Sequence, residues 1–305
     1  MLFRSVEYDV RVSSIPTVYG EKIVMRLTNK EKLTRDKREL GLSDDDMKRF
    51  DQMLAHPHGI ILVTGPTGSG KSTTLYTALS ELNRETVNIV TVEDPVEANI
   101  DGVNQFQVNP KADMTFASAL RSILRQDPDI IMIGEIRDPE TAEIAVQASI
   151  TGHLVASTLH TNSTSASIAR LLNMGIEPYL MADALVGVVA QRLVRKLCRC
   201  KRGREATAQE KEELGVNQDE VLTIYEPAGC QLCSQTGYFG RTAVYEMMPV
   251  TPELRWAITK MQPSSKVKEI AQREGMITLR GSAVRLVREG VTSLEEMKKI
   301  ASEED

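Results

Sequence analysis

The chain has 305 residues, 41% apolar and 26% charged, with a net charge of −5. That balance specifies globular structure in two or three domains. It argues against a generic nucleic-acid coat, because the charge is acidic and aromatic residues for base stacking make up only 4%.

No apolar run approaches a membrane span and no signal-peptide core opens the chain. Any membrane contact is therefore expected to be peripheral, through partners. In chain order, Val6–Val12 alternates like a half-buried strand, and Glu21–Leu27 reads as a second. Two strands are too few for a stable domain, so residues 1–28 read as the end of a larger β-containing domain. Residues 29–40 are highly charged with little apolar pattern and read as an exposed linker. Residues 41–250 read as an α/β domain with strands at Gly59–Thr64, Val87–Val92, Ile130–Ile133 and Leu154–Leu159, alternating with helices. The first of these helices opens at Ser43 with Asp44, Asp45 and Asp46 in its first turn. Such alternation implies a mostly parallel sheet covered on both faces, with ligands at the carboxyl ends of its strands. Past His160 the chain is expected to be helical over Ser163–Met174 and Pro178–Val194. Residues 251–305 read as a small helical subdomain whose last helix starts with a Ser293-to-Glu296 capping box.

The first core strand runs into Gly65-Pro66-Thr67-Gly68-Ser69-Gly70-Lys71-Ser72, followed by Thr73 and a helix with Leu75, Leu79 and Leu82 at helical spacing. This is the phosphate-loop pattern in its required strand–loop–helix context. Glycines let N–H groups turn toward phosphate oxygens and the helix N-terminus adds positive potential. Lys71 is expected on the β- and γ-phosphates and Ser72 on Mg²⁺. Two further strands end in acids, Glu93-Asp94-Pro95-Val96-Glu97 and Gly134-Glu135-Ile136-Arg137-Asp138. A nucleoside triphosphatase needs acids there to hold the Mg²⁺ shell and orient the attacking water. His160, at the end of the Leu154–Leu159 strand, reads as a γ-phosphate sensor. His56 and His58 read as structural. His153 stands between the two readings. Arg11, Arg26, Arg121, Arg125 and Arg137 are candidates for the charge that a ring motor supplies to a neighbouring site.

Cys198-x-Cys200 and Cys230-x-x-Cys233 form two close pairs, the first one residue tighter than usual zinc spacing. Four thiolates in two clusters point to structural Zn²⁺ that clips the base of the charged excursion 198–233.

Taken together, the stretches Gly65–Ser72, Thr91–Glu97, Leu120–Asp129 with Gly134–Asp138, Thr151–Asn162, Asp9–Thr17 and Gly240–Glu246 strongly resemble the type II secretion and type IV pilus assembly ATPases. The resemblance covers nearly the whole chain. It implies a RecA-like fold and a homo-hexameric, Mg²⁺-dependent enzyme that hydrolyses ATP. Such an enzyme is cytoplasmic, held at the inner membrane by a recruitment protein, and drives an inner-membrane platform protein that extrudes pilin-like subunits. No nucleic-acid partner is implied. Carried over to this chain, Glu93 positions the attacking water, with Glu97 as the nearest alternative, Glu135 acts on the Mg²⁺ shell and His160 senses nucleotide. Arg11, Arg26 and Arg241 resemble the family's phosphate- or interface-facing arginines. A pilus retraction ATPase of the same superfamily is the first alternative, disfavoured by the four cysteines. A nucleotide-gated regulatory module without turnover is the second, and a DNA-translocating motor the third.

Overall fold

The structure, a computed structural model, describes residues 8–29 and 33–302. Val6 and Glu7 of the first expected strand, and residues 30–32 of the expected linker, lie outside the described residues. Strands β1 (Tyr8–Thr17) and β2 (Gly20–Asn29) form an antiparallel hairpin, a sheet of its own with Val12, Ile15, Ile23 and Met25 exposed. The segment after it is less open than its charge suggests. Asp36 caps a short 3-10 turn, Lys37–Leu40, and Leu40 is buried. Lys37 is held by carboxylates from two helices, Asp51 and Glu81, while Arg35, Asp36, Arg38 and Glu39 are exposed.

Helix α1 (Asp44–Leu54) starts as expected at Ser43, whose hydroxyl accepts from the Asp46 N–H at 3.1 Å. The core then runs through β3 (Gly59–Thr64), α2 (Lys71–Leu82), β4 (Ile89–Glu93), β5 (Asn104–Gln107), α3 (Phe116–Ile123), β6 (Ile130–Ile133), α4 (Pro139–Ile150) and β7 (Leu154–Leu159). Next come α5 (Thr164–Asn173), α6 (Pro178–Ala184) and β8 (Leu185–Leu197). The cysteine excursion holds β9 (Arg202–Glu205), α7 (Ala208–Glu213) and β10 (Thr223–Glu226). The chain returns on β11 (Tyr238–Pro249) and ends in α8 (Pro252–Thr259), α9 (Ser264–Arg273), α10 (Leu279–Arg288) and α11 (Leu294–Ala301).

The central sheet has seven strands in the order β11-β8-β3-β7-β6-β4-β5, parallel except for the antiparallel β11–β8 edge. Alternate residues of β3 serve opposite cores. Ile60 and Leu62 join the apolar cluster under α3, α4, α5 and α6, whereas Ile61 and Val63 join the one under α1 and α2. Because both faces are covered, the inner strands read as unbroken apolar runs rather than alternating ones.

Residues 185–197 correct the expected helix Pro178–Val194. The helix stops at Ala184, and β8 pairs with β3 on one side and β11 on the other. Val186, Val188 and Val189 are β-branched and favour a strand. Gly187 is needed where the strand crosses α1, since a Cβ there would lie 2.1 Å from Met53 Sδ. The helices of 252–301 divide between two clusters. Those of α8 and α9 pack on the main sheet; those of α10 and α11 pack on β8, β11 and the excursion. The expected capping box at α11 is half formed. Ser293 Oγ accepts from the Glu296 N–H at 3.4 Å, but the Glu296 carboxylate is taken by Arg195, through its backbone N–H at 2.9 Å and its guanidinium at 2.9 and 3.1 Å, and by Lys299 at 2.6 Å.

Burial alone would raise the Glu296 acid, yet these partners hold it down to about 2. A carboxylate lowered on folding stabilises the fold above its unfolded value and loses that contribution as pH falls toward its folded value. With exposed cationic partners, on the order of 1–2 kcal/mol is expected. The variant Glu296→Gln should therefore be less stable than the parent at pH 7, with the gap closing between about pH 4.5 and 2, as read by chemical denaturation across that range.

Candidate functional site

Strand register brings the sequence candidates into one row. Thr64 is level with Leu159, Ser157 with Ile133, and Ile133 with Val92. The chain therefore leaves β3, β7, β6 and β4 side by side, into the phosphate loop, His160, Glu135 and the Glu93–Glu97 segment. Gly65 has φ +151°, and a Cβ on it would lie 2.5 Å from the Gln191 carbonyl oxygen. Gly70 caps α2 with φ +91° and offers no side chain to the first-turn N–H groups, which leaves that helix end open to an anion. Pro66, Thr67 and Gly68 are exposed, whereas Ser69 is buried and its Oγ has no partner.

Lys71 is almost wholly buried and curls back on the loop, donating to the carbonyls of Gly65 at 2.8 Å and Pro66 at 3.1 Å. Burial pushes its ammonium below the ordinary lysine range. The charges of Glu135 and Glu97 oppose that shift, and Arg192 adds to it. Ser72 and Thr73 follow in the first turn of α2, half-buried. Burial pushes Glu135 up, but Arg137 and His160 outweigh it and hold the acid below the usual carboxylate range. His160 Nε2 lies 3.3 Å from Glu135 Oε2, and Arg137 also reaches Asp94 at 3.5 Å.

The two acids of the β4 segment differ sharply. Glu93 is 3% exposed and its carboxylate is filled by Tyr76, Thr91 and Gln105. Glu97 is half-buried, close enough for its charge to act on Lys71. His153 lies at the opposite end of β7 with its Nδ1 2.9 Å from the Ala148 carbonyl, a structural contact. Arg121 pairs with Glu140 at 2.6 Å on the surface. Arg11 and Arg26 lie directly opposite each other on the hairpin, on one face. Arg241 lines a cavity of about 460 Å³ beside Gly70 and Thr73, whose wall also includes Arg35, Lys196 and Tyr245.

Sequence reasoning missed the pair Gln191-Arg192 on β8. Gln191 Nε2 donates to the Ser69 carbonyl at 2.7 Å, and its Oε1 accepts from Thr74 Oγ1 at 2.8 Å. Arg192 donates to the carbonyl of Asn162 at 3.1 Å. Both are polar residues inside a buried strand, a signal in itself, hidden here by the mistaken helix. Glu246 was also missed. It is buried on β11 and accepts from the Thr164 N–H at 3.0 Å and hydroxyl at 2.6 Å. Thr64 Oγ1 accepts from the Thr161 N–H at 2.9 Å. The loop after His160 is thus pinned to three strands.

Away from this row, the four cysteine sulfurs lie within 4.8 Å of one another. The pairs Cys198–Cys230, Cys200–Cys233 and Cys230–Cys233 are 3.8, 3.9 and 3.7 Å apart. Tetrahedral thiolates at ~2.3 Å from one ion would be about 3.8 Å apart, so the group fits a single metal ion despite the tight Cys198–Cys200 spacing. Cys233 Sγ also accepts from the N–H groups of Cys230 and Gly237 at 3.1 and 3.2 Å.

Fold and site together define a RecA-like P-loop nucleotide-binding core. Residues 1–299 match the family model for "Type II/IV secretion system protein", and the chain belongs to that family. It is 50% identical to the type II secretion system ATPase E of Vibrio cholerae, over 97% of this chain and 59% of that protein. It is 49% identical to a putative type II secretion system protein E of Escherichia coli, over 96% of this chain and 60% of that protein. With the type IV pilus assembly ATPase PilB of Myxococcus xanthus it shares 50%, over 95% of this chain and 52% of that protein. The chain thus spans a little over half the length of these relatives. Among solved structures, the pilus retraction motor PilT with bound ADP superposes with a TM-score of 0.69 at 27% identity, over 95% of this chain and 77% of that one. The Legionella pneumophila ATPase DotB superposes with a TM-score of 0.72 at 22% identity, over 98% and 74%, a likeness of fold.

Removing the Gln191 side chain takes the partner from the buried Ser69 carbonyl and one partner from the Thr74 hydroxyl, at a cost of about 1–3 kcal/mol. In Gln191→Met the Kd for a fluorescent ATP analogue should rise by roughly tenfold, about 1.4 kcal/mol, as read by equilibrium titration.

Proposed function

We propose that this chain is the motor core of a hexameric, Mg²⁺-dependent ATPase that drives assembly of pilin-like subunits in a type II secretion system or a type IV pilus. The observation that carries the reading is the row of Lys71, His160, Glu135 and Glu97 at the carboxyl ends of adjacent strands. Lys71, desolvated and resting on two carbonyls, exchanges them for the β- and γ-phosphate oxygens. The open end of α2 and the N–H groups of Gly68, Ser69 and Gly70 receive the rest of the phosphate chain, and the unpartnered Ser69 hydroxyl suits the same anion. The nucleoside lies in the cavity that Arg241 lines.

Ser72 would hold Mg²⁺, with Glu135 acting through its waters. The ion supplies charge neutralisation on the phosphates. Glu135 stays ionised because Arg137 and His160 face it. His160 is half-exposed and shares a loop with Thr161 and Asn162, which contact β3 and Arg192. A shift of the phosphate end therefore reaches that loop directly. Glu97 is the acid that orients the attacking water. Glu93, the first choice from sequence, is buried with its oxygens occupied and cannot face a water in that position. Arg11 and Arg26 lie opposite each other on one face of the hairpin, a placement that suits recognition of phosphate oxygens.

The Cys198, Cys200, Cys230 and Cys233 cluster would hold one Zn²⁺ and so tie the two ends of the excursion together. This favours an assembly enzyme over the retraction alternative. The enzyme acts in the cytoplasm at the inner membrane, through a platform and a recruitment protein. No helix among the described residues is long and apolar enough to cross a membrane.

Mg²⁺-dependent phosphate release by the full chain should fall at least 100-fold in Lys71→Ala and Glu135→Ala, while a wild type that binds ATP without turnover would overturn the motor reading. Elemental analysis should find one zinc per chain, lost in the double variant Cys230→Ser/Cys233→Ser together with several degrees of Tm.

A further inference from the structure

Glu93 stands at the end of β4, where a carboxylate would be expected to do chemistry, yet its side chain points inward. Oε2 accepts from the Tyr76 phenol, and Oε1 accepts from Thr91 Oγ1 at 2.7 Å and Gln105 Nε2 at 3.1 Å. Tyr76 is fully buried on α2. Since its proton goes to Glu93, its oxygen is left as an acceptor, and it receives the backbone N–H of Glu97 at 3.2 Å. Gln105 continues the arrangement. Its Nε2 also donates to the Ala98 carbonyl at 3.0 Å, and its Oε1 accepts from the Ile100 N–H at 2.7 Å. The loop carrying Glu97 therefore has three backbone groups held by two side chains, and Glu93 fixes the polarity of both.

We infer that Glu93, Tyr76 and Gln105 form a buried scaffold of positioning residues that sets the Glu97 carboxylate at a fixed distance from the phosphate loop. Tyr76 is the key member, because it lies on α2 little more than one turn beyond Lys71. The same helix that presents the phosphate site thus also carries the acceptor for Glu97. Burial and the adjacent Glu93 carboxylate push the phenol well above its ordinary range, so it stays protonated and its donor is never lost. Polar groups of this kind, buried and mutually satisfied, fix one geometry where a loop would otherwise sample several. Misplacement of a reacting group by about 1 Å can cost on the order of 100-fold in rate.

This inference rests on Glu97 as the water-orienting acid, and the test separates the two. In the full chain, steady-state ATP hydrolysis and Mg²⁺-ATP binding are compared for Tyr76→Phe, Gln105→Met, Glu93→Gln, Glu97→Gln and the double variant Tyr76→Phe/Glu93→Gln. The scaffold requires kcat to fall about 10- to 100-fold in each of the first three, with KM and the binding constant within twofold. The double variant should be no worse than the weaker single variant, because both changes break one relay. Glu97→Gln should abolish turnover. Wild-type kcat in Tyr76→Phe, with Glu97→Gln inactive, overturns the scaffold alone. Turnover persisting in Glu97→Gln while Glu93→Gln is dead overturns the reading of Glu97 itself. Tyr76→Phe removes one oxygen, and Gln105→Met lies at the sheet edge, so melting curves of the two identify any loss that is only unfolding.

Discussion

Everything at the site depends on a lysine ammonium kept almost out of water with no carboxylate bonded to it. Among the described residues, the Lys71 ammonium hydrogen-bonds to the carbonyls of Gly65 and Pro66, while Glu135 and Glu97 act on it from a distance. A buried charge so weakly compensated is costly, and the protein sustains it by rigidity around the loop. Gln191 holds Ser69, Thr74 holds Gln191, and Gly65 lets β8 pass close beneath. An anion arriving at the loop meets a cation that has already lost its hydration. That is the condition under which electrostatic attraction is strongest.

The parallel sheet supplies the rest by geometry rather than by design of each contact. Once β3, β7, β6 and β4 are in register, their carboxyl ends deliver an amine, an imidazole and two kinds of acid within reach of one another. What distinguishes the acids is burial. Glu135 is partly open and flanked by Arg137 and His160. Glu93 is enclosed by a phenol, a hydroxyl and an amide. Two glutamates at equivalent strand ends therefore have different surroundings, one open to the site and one turned into the protein.

Much of this was legible in the sequence. The phosphate loop, the strand-end acids and His160 are local patterns, and the inner strands β3, β4, β6 and β7 read as apolar runs because both faces of the sheet are covered. The cysteine cluster was legible from spacing even though 29 residues separate its halves. What escaped reading did so for different reasons. Gln191 and Arg192 sit in Leu185–Leu197, whose apolar run gives no period to tell a buried strand from a buried helix, so the run was taken as a continuation of α6. The difference between Glu93 and Glu97 was invisible too, because it depends on Tyr76 and Gln105, residues from elements whose meeting only the fold decides. The anchoring of Lys37 by acids from two separate helices was likewise not legible in its charged surroundings.

The outer strand β5 is four residues long, polar at Asn104, Gln105 and Gln107, and spends the Gln105 side chain inward. At the far side, β11 runs twelve residues, and its Tyr245 donates its N–H to Ser282 of α10 at 3.3 Å and its phenol to the Leu40 carbonyl at 3.0 Å. Neither margin of the sheet offers a long, bare hydrogen-bonding ladder. Joining of copies by strand addition at either margin of this central sheet is thereby disfavoured.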